Sequence, residues 1–211
     1  MSNIDNTDGE NIDAFFVKPS LPVKLFGEFH SSLYLLRREI SSCLCIDPHT
    51  GEEFRTACSR ELFAATMLIL TGVDLLGKFV HGTDKKRVKD RFKDFIPKYF
   101  DYASEEDASA IFQLRNALFH GFGLFSKDRG TGKIYNFVLQ RKGSELLHQI
   151  NDNTYKIDIL TLSHQFENAI KKYYSDLKKN TNLRILFNRV FDEYGGINVW
   201  TENTSNKLKT F

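Results

Sequence analysis

Arg115, Asn116 and His120 lie within six residues near the end of a helical stretch. Arginine is a permanent cation with a planar fork of donors, and histidine exchanges a proton near neutral pH. At about a hundred degrees per residue, Ala108, Ile111, Phe112, Leu118 and Phe119 fall within about sixty degrees of Arg115. This places a charge that cannot be discharged in the middle of an apolar stripe, where it needs a partner. Ser109, Gln113, Asn116 and His120 form a neutral, hydrogen-bonding strip beside that stripe, with Asn116 and His120 one turn apart. Arg115 and His120 are about 140 degrees apart on the ideal wheel. A site using both requires the arginine to reach round, a distorted helix end at Gly121, or a second copy of the helix. In a purely structural reading, Arg115 is consumed by a buried acid. Asp74 is the expected partner because it also interrupts an apolar helix, although Lys78 one turn away competes for it.

Other chemistry is weaker. Cys43, Cys45, His49 and Cys58 form C-x-C-x3-H-x8-C, a poor zinc spacing, and the cysteines read as small buried hydrophobes outside any disulfide framework. His30, His81, His148 and His164 have no motif around them and read as structural or exposed. Gly121-x-Gly123 follows a helix, whereas a dinucleotide fingerprint follows a strand. The chain has no G-x-S-x-G elbow. Tyr173 and Tyr174 sit at helical spacing and read as core. Lys85, Lys86, Lys89 and Lys93, and Lys171, Lys172, Lys178 and Lys179, form two basic faces that read first as solvated and second as phosphate guides. No metal and no cofactor is expected.

The elements that must position these residues are mostly helical. Residues 1–20 read as a flexible arm. Val23, Phe26, Phe29, Leu33, Leu36 and Ile40 predict a first helix from Pro22 to about Ile46, stopped by Asp47-Pro48-His49-Thr50-Gly51. A second, apolar nearly all round, runs from about Thr56 to Val80, with Gly82 as its left-handed cap. Thr83 or Asp84 caps a third, whose stripe is Val88, Phe92, Phe95, Ile96 and Tyr99 and which Pro97 brings to its end. Ser104 and the acids after it start the fourth, which carries the motif to about His120. Strands are predicted at Lys133–Gln140 and near Tyr155–Ile159. Helices follow at about Leu160–Lys179 and Leu183–Tyr194. The expected fold is therefore mostly α. It is a bundle of five to six helices over residues 21–196, with a small β-hairpin insertion near 133–159 and a frayed tail over 197–211.

The composition fits one sizeable core: 211 residues, 41% hydrophobic and 27% charged, with nineteen Phe. Lys plus Arg is 29 against 27 for Asp plus Glu, a net +2, so any nucleic-acid contact must be local. The acidic N-terminus does not read as a secretory signal. The apolar run from Leu62 to Val80, interrupted by Asp74 and Lys78, reads as a buried core helix. The expected location is cytoplasmic, with no membrane partner.

The string Arg115-Asn116-Ala117-Leu118-Phe119-His120 resembles the R-N-x-x-x-H motif of the HEPN superfamily, a form of R-x4-6-H. GVDLLGKF (72–79), RFKDFIPKYF (91–100) and LRNALFHGFGL (114–124) are similar to a group of bacterial HEPN-like proteins. The resemblance covers roughly residues 22–180. It implies a HEPN-like helix bundle acting as a metal-independent endoribonuclease of toxin or defence type. Two motif helices would meet in a homodimer and build a composite site. Arg115 would bind the scissile phosphate and His120 would move protons. Asn116 would orient His120 or the phosphate. Apart from the resemblance, Asp74 is kept as a supporting residue. Cleavage would use the RNA 2′-OH and leave a 2′,3′-cyclic phosphate. An antitoxin or nucleotidyltransferase would be a further partner. Other HEPN proteins keep the fold as non-catalytic nucleotide-binding or interaction modules. That alternative predicts Arg115 paired with Asp74 and His120 facing no cleft.

Overall fold

A computed structural model describes residues 4–17, 28–47, 52 and 61–199. Seven helices and six strands are present among them. They are α1 (Ile4–Phe16), β1 (Glu28–Ser31), α2 (Ser32–Leu44), α3 (Leu62–His81), α4 (Val88–Tyr99) and α5 (Glu105–Gly121). Then come β2 (Phe125–Lys127), β3 (Ile134–Gln140), β4 (Leu147–Asn151), β5 (Thr154–Asp158), α6 (Ile159–Lys179), α7 (Thr181–Tyr194) and β6 (Gly196–Val199). The architecture is mostly α, as expected.

The central helix is α3, which packs against α2, α4, α6 and α7. Among the described residues it alone is long and apolar enough to cross a membrane, and 56% of its apolar window is buried inside the fold. Two glycines let its neighbours come close. A Cβ at Gly72 would lie 2.3 Å from Phe166 Cζ of α6, and one at Gly77 would lie 2.9 Å from Arg91 Cβ of α4. Gly82 adopts the left-handed conformation at its end, as the sequence indicates. Residues 53–60, where this helix was expected to begin, lie outside the described residues.

Residues 4–17 correct the reading of a flexible arm. Ile12, Phe15 and Phe16 of α1 are buried, with the Phe15 ring centroid 4.6 Å from that of Phe79 and 5.5 Å from that of Phe187. Their spacing is helical, and four acids obscure it in the sequence. One of them, Asp13, accepts from Tyr174 Oη at 2.8 Å and Lys178 Nζ at 2.9 Å.

The first expected helix is also shorter than its pattern. Residues 28–31 form β1, which pairs antiparallel with β6, so residues 197–199 of the expected tail belong to a two-stranded ribbon. Ser31 marks the change from strand to helix. Its hydroxyl donates to the Phe15 carbonyl at 2.6 Å and accepts the Tyr34 N–H at 3.2 Å, capping α2 and holding α1 against it. The Ser32 hydroxyl donates to the Tyr194 carbonyl at 2.6 Å and fixes the end of α7.

The insertion is a four-stranded sheet of order β2-β3-β5-β4. β3 and β5 are parallel, so the expected hairpin of those two strands is not formed. The segment between them contributes β4, an edge strand antiparallel to β5. Tyr135, Phe137 and Tyr155 are buried together, with ring centroids 5.4–6.2 Å apart. The paired aromatics hold the two parallel strands in register.

The buried ion pair is not the expected one. Asp74 Oδ1 accepts from Arg91 Nε at 2.6 Å, and Arg91 is 4% exposed. Arg91 also donates to the backbone carbonyls of Asp84, at 2.8 Å, and Lys86. It clips α4 to α3 and closes the connection between them, so Asp74 is a structural residue and not a partner that consumes Arg115.

Candidate functional site

Helix α5 starts with a capping box. The Asp107 N–H donates to Ser104 Oγ at 3.0 Å, and the Ser104 N–H donates to Asp107 Oδ2 at 2.8 Å. Its buried face is Ala108, Ala110, Ile111, Gln113, Leu114, Ala117 and Leu118. The stripe is therefore centred near Leu114, and Arg115 lies at its edge, half-buried. Phe122, 75% exposed, holds the left-handed position after the helix with φ 43°, one residue beyond the expected Gly121. An aromatic residue with positive φ is uncommon and strained.

At this end the motif residues meet. An Arg115 Nη1 atom lies 3.0 Å from His120 Nε2 and 3.4 Å from Asn116 Oδ1. The guanidinium carbon sits 4.8 Å from the Phe119 ring centroid. Of the three ways to unite Arg115 with His120, the structure shows the first: the long side chain reaches round the helix. Burial pushes the Arg115 guanidinium below its ordinary value, Asp74 opposes this, and Arg91 adds to it. A guanidinium only donates, so a hydrogen bond at this distance requires the lone pair of His120 on Nε2 and its proton on Nδ1.

His120 and Asn116 line a cleft of about 740 Å³ between α5, α4 and the β2–β3 turn. Arg115 is not among the lining residues and joins the cleft through His120. Asp74 lies elsewhere, on a separate groove beside α2 and α7. Of the neutral strip, Ser109 donates to its own helix at Glu105 and stays outside the cleft, while Gln113 turns inward.

Gln113 leads to a network that the sequence reading missed. Gln113 Nε2 donates to Asp128 Oδ2 at 2.7 Å, and Ser126 Oγ donates to Gln113 Oε1 at 2.7 Å. Asp128 also accepts from Lys89 Nζ at 3.1 Å, the Gly130 N–H at 2.8 Å and the Thr131 N–H at 2.9 Å. The available signal was an Asp two residues before a Gly-Thr-Gly run, the pattern of a side-chain-capped turn. Led by the Thr131 N–H and then by Lys89, these donors hold the Asp128 carboxyl down at about 2.

An unfolded aspartate titrates near ~3.9, so this stabilisation is complete above about pH 4 and is lost as pH falls through about 2. Asp128→Asn is expected to cost about 2 kcal/mol near neutrality. The difference from wild type should shrink below about pH 4. Urea denaturation at a series of pH values measures both effects.

Half of the lysines of the two basic faces are paired. Lys86 binds Asp94, Lys89 binds Asp128, Lys172 binds Asp101 and Lys178 binds Asp13. Lys89 alone of the α4 lysines lines the cleft. Tyr173 is buried in the core, as its spacing indicates. His148 and His164 are exposed, and His81 Nε2 stands 3.3 Å from Asp94 Oδ2.

Among the described residues, no three His, Cys, Asp or Glu side chains come together in a way that could hold a metal ion. His49 and Cys58 lie outside those residues. Cys45, expected as a free hydrophobe, is buried but disulfide-bonded. Cys43 is free, its thiol pushed up first by burial and then by Glu61 and Glu39. No family model, curated protein or solved structure matches the chain.

Proposed function

We propose that this protein is a metal-independent endoribonuclease of the HEPN type, acting in a toxin or defence role. The observation that carries the reading is the 3.0 Å contact between Arg115 and His120, a lining residue of a basic cleft. A permanent cation beside an imidazole that can exchange a proton is what internal cleavage of RNA requires.

In the resting site, Arg115 holds the Nε2 lone pair of His120. A phosphodiester entering the cleft draws the guanidinium to its non-bridging oxygens and releases that lone pair. His120 Nε2 then takes the proton of the 2′-OH as the 2′-oxygen attacks phosphorus. The P–O5′ bond breaks, the 5′-oxygen leaves with a proton, and a 2′,3′-cyclic phosphate remains. Arg115 stabilises the additional negative charge of the five-coordinate transition state. Asn116 Oδ1, near the same Nη1, orients the guanidinium.

One imidazole cannot both take the 2′-OH proton and protonate the opposite leaving group in a single in-line step. The second proton must therefore come from His120 of a second copy in its protonated, imidazolium form, in a homodimer formed through the motif helices. The exposed rings of Phe119 and Phe122 beside the motif suit such a contact. An antitoxin or nucleotidyltransferase would be a further partner.

The test is incubation of purified protein with RNA in EDTA. Products ending in 2′,3′-cyclic phosphate are expected, and a DNA strand of the same sequence should remain intact. Intact RNA would refute the enzyme reading. Binding without cleavage would instead identify the non-catalytic interaction module.

A further inference from the structure

The wall of the cleft opposite His120 is the β2–β3 turn, and it carries charge that the fold does not use. Asp128 points inward and is saturated by Lys89, Gln113 and two turn N–H groups. Its neighbours Lys127 and Arg129 are exposed, line the same cleft as His120 and Asn116, and form no ion pair with a described acid. The cleft's one acid is thus neutralised by Lys89, which leaves two uncompensated cations facing the proposed proton-transfer group. Phe125, exposed on the same wall, offers an apolar ring face.

We infer that the β2–β3 turn is a phosphate guide: Lys127 and Arg129 hold backbone phosphates of single-stranded RNA next to the bond presented to His120. The inference rests on the endoribonuclease reading for the identity of its ligand. The chemistry is that of a single-strand groove, where cations track the phosphates and an aromatic ring stacks on a base. The turn can hold these cations in place because the Gln113–Ser126–Asp128 network fastens it to the motif helix. It therefore moves with Asn116 and His120 and not as a free loop.

The experiment measures binding of a labelled single-stranded RNA by the full chain carrying His120→Ala, so that no cleavage intervenes. Adding Lys127→Ala with Arg129→Ala should weaken binding roughly ten- to thirtyfold at about 0.1 M salt. It should also flatten the slope of log Kd against log salt by about 1.4, the value for two single-strand phosphates. Lys171→Ala with Lys179→Ala, which removes the same charge from the exposed face of α6, should change neither quantity by more than about twofold. Both guide side chains are exposed, and circular dichroism verifies that the variant is folded. If the α6 pair matters as much as the turn pair, or if the turn pair changes neither affinity nor slope, the guide is overturned. Tight, turn-dependent binding by a wild-type protein that never cuts RNA would sustain the guide and remove the nuclease reading.

Discussion

His120→Ala should reduce the rate of RNA cleavage by about 10²–10⁴-fold, the span of a lost general acid–base group. The side chain is exposed at the end of α5 and its polar contact is with Arg115, so its removal should leave the fold intact. Arg115→Lys discriminates between a point charge and a fork. Lysine keeps the positive charge but cannot bridge two phosphate oxygens in a plane, and a loss of about 10²–10³-fold in kcat is expected. Single-turnover cleavage with saturating protein isolates the chemical step. Wild-type rates in His120→Ala would end the proposed mechanism. Full activity in Arg115→Lys would show that only charge is needed.

The second large effect is on stability. Arg91→Met should destabilise the protein by about 3–5 kcal/mol, because it strands the Asp74 carboxylate and frees two carbonyls of the α3–α4 connection. Domains of ordinary stability have only about 5–15 kcal/mol in total. A double replacement, Arg91→Met with Asp74→Leu, should recover much of the loss because no charge is left without its partner. Denaturant midpoints of the wild type, the two single variants and the double variant give the coupling directly. A single-variant cost below about 1 kcal/mol would mean that the pair behaves as an exposed one.

The contrast between Arg91 and Arg115 shows what the sequence could reveal. Both arginines lie on apolar helix faces, and a wheel marks either as anomalous. The wheel gave Arg115 the central place because it counted residue types. Packing centred the stripe near Leu114 and drew Gln113 inside, since an amide with two partners can be buried. Arg91 escaped notice among the lysines of α4. The 140-degree separation of Arg115 and His120 was correct for the backbone and irrelevant for the side chain, whose stem spans the difference. Local signals were reliable where local chemistry decides: the Ser104 cap, the Gly82 cap, and the apolarity of α3. They failed where distant segments decide. Residues 28–31 follow a helical period but are held extended by residues 196–199, and β3 chooses β5 as a parallel neighbour across an intervening strand. The phosphate-guiding turn was legible only as a loop, because its position depends on Gln113 in another element.

The ribbon of β1 and β6 has a consequence for the timing of assembly. It joins residues 28–31 to residues 196–199, while Phe15 of α1 packs on Phe187 and Phe191 of α7. These contacts are available only when the residues through 199 have emerged from the ribosome. Helices α3 to α5 can form during synthesis, but the shell around α3 closes after translation of the last element. A chain truncated by premature termination before residue 187 would lack that closing layer. Its Phe-rich interior would stay exposed, and it would be cleared by proteases or lost to aggregation without ever presenting a finished cleft.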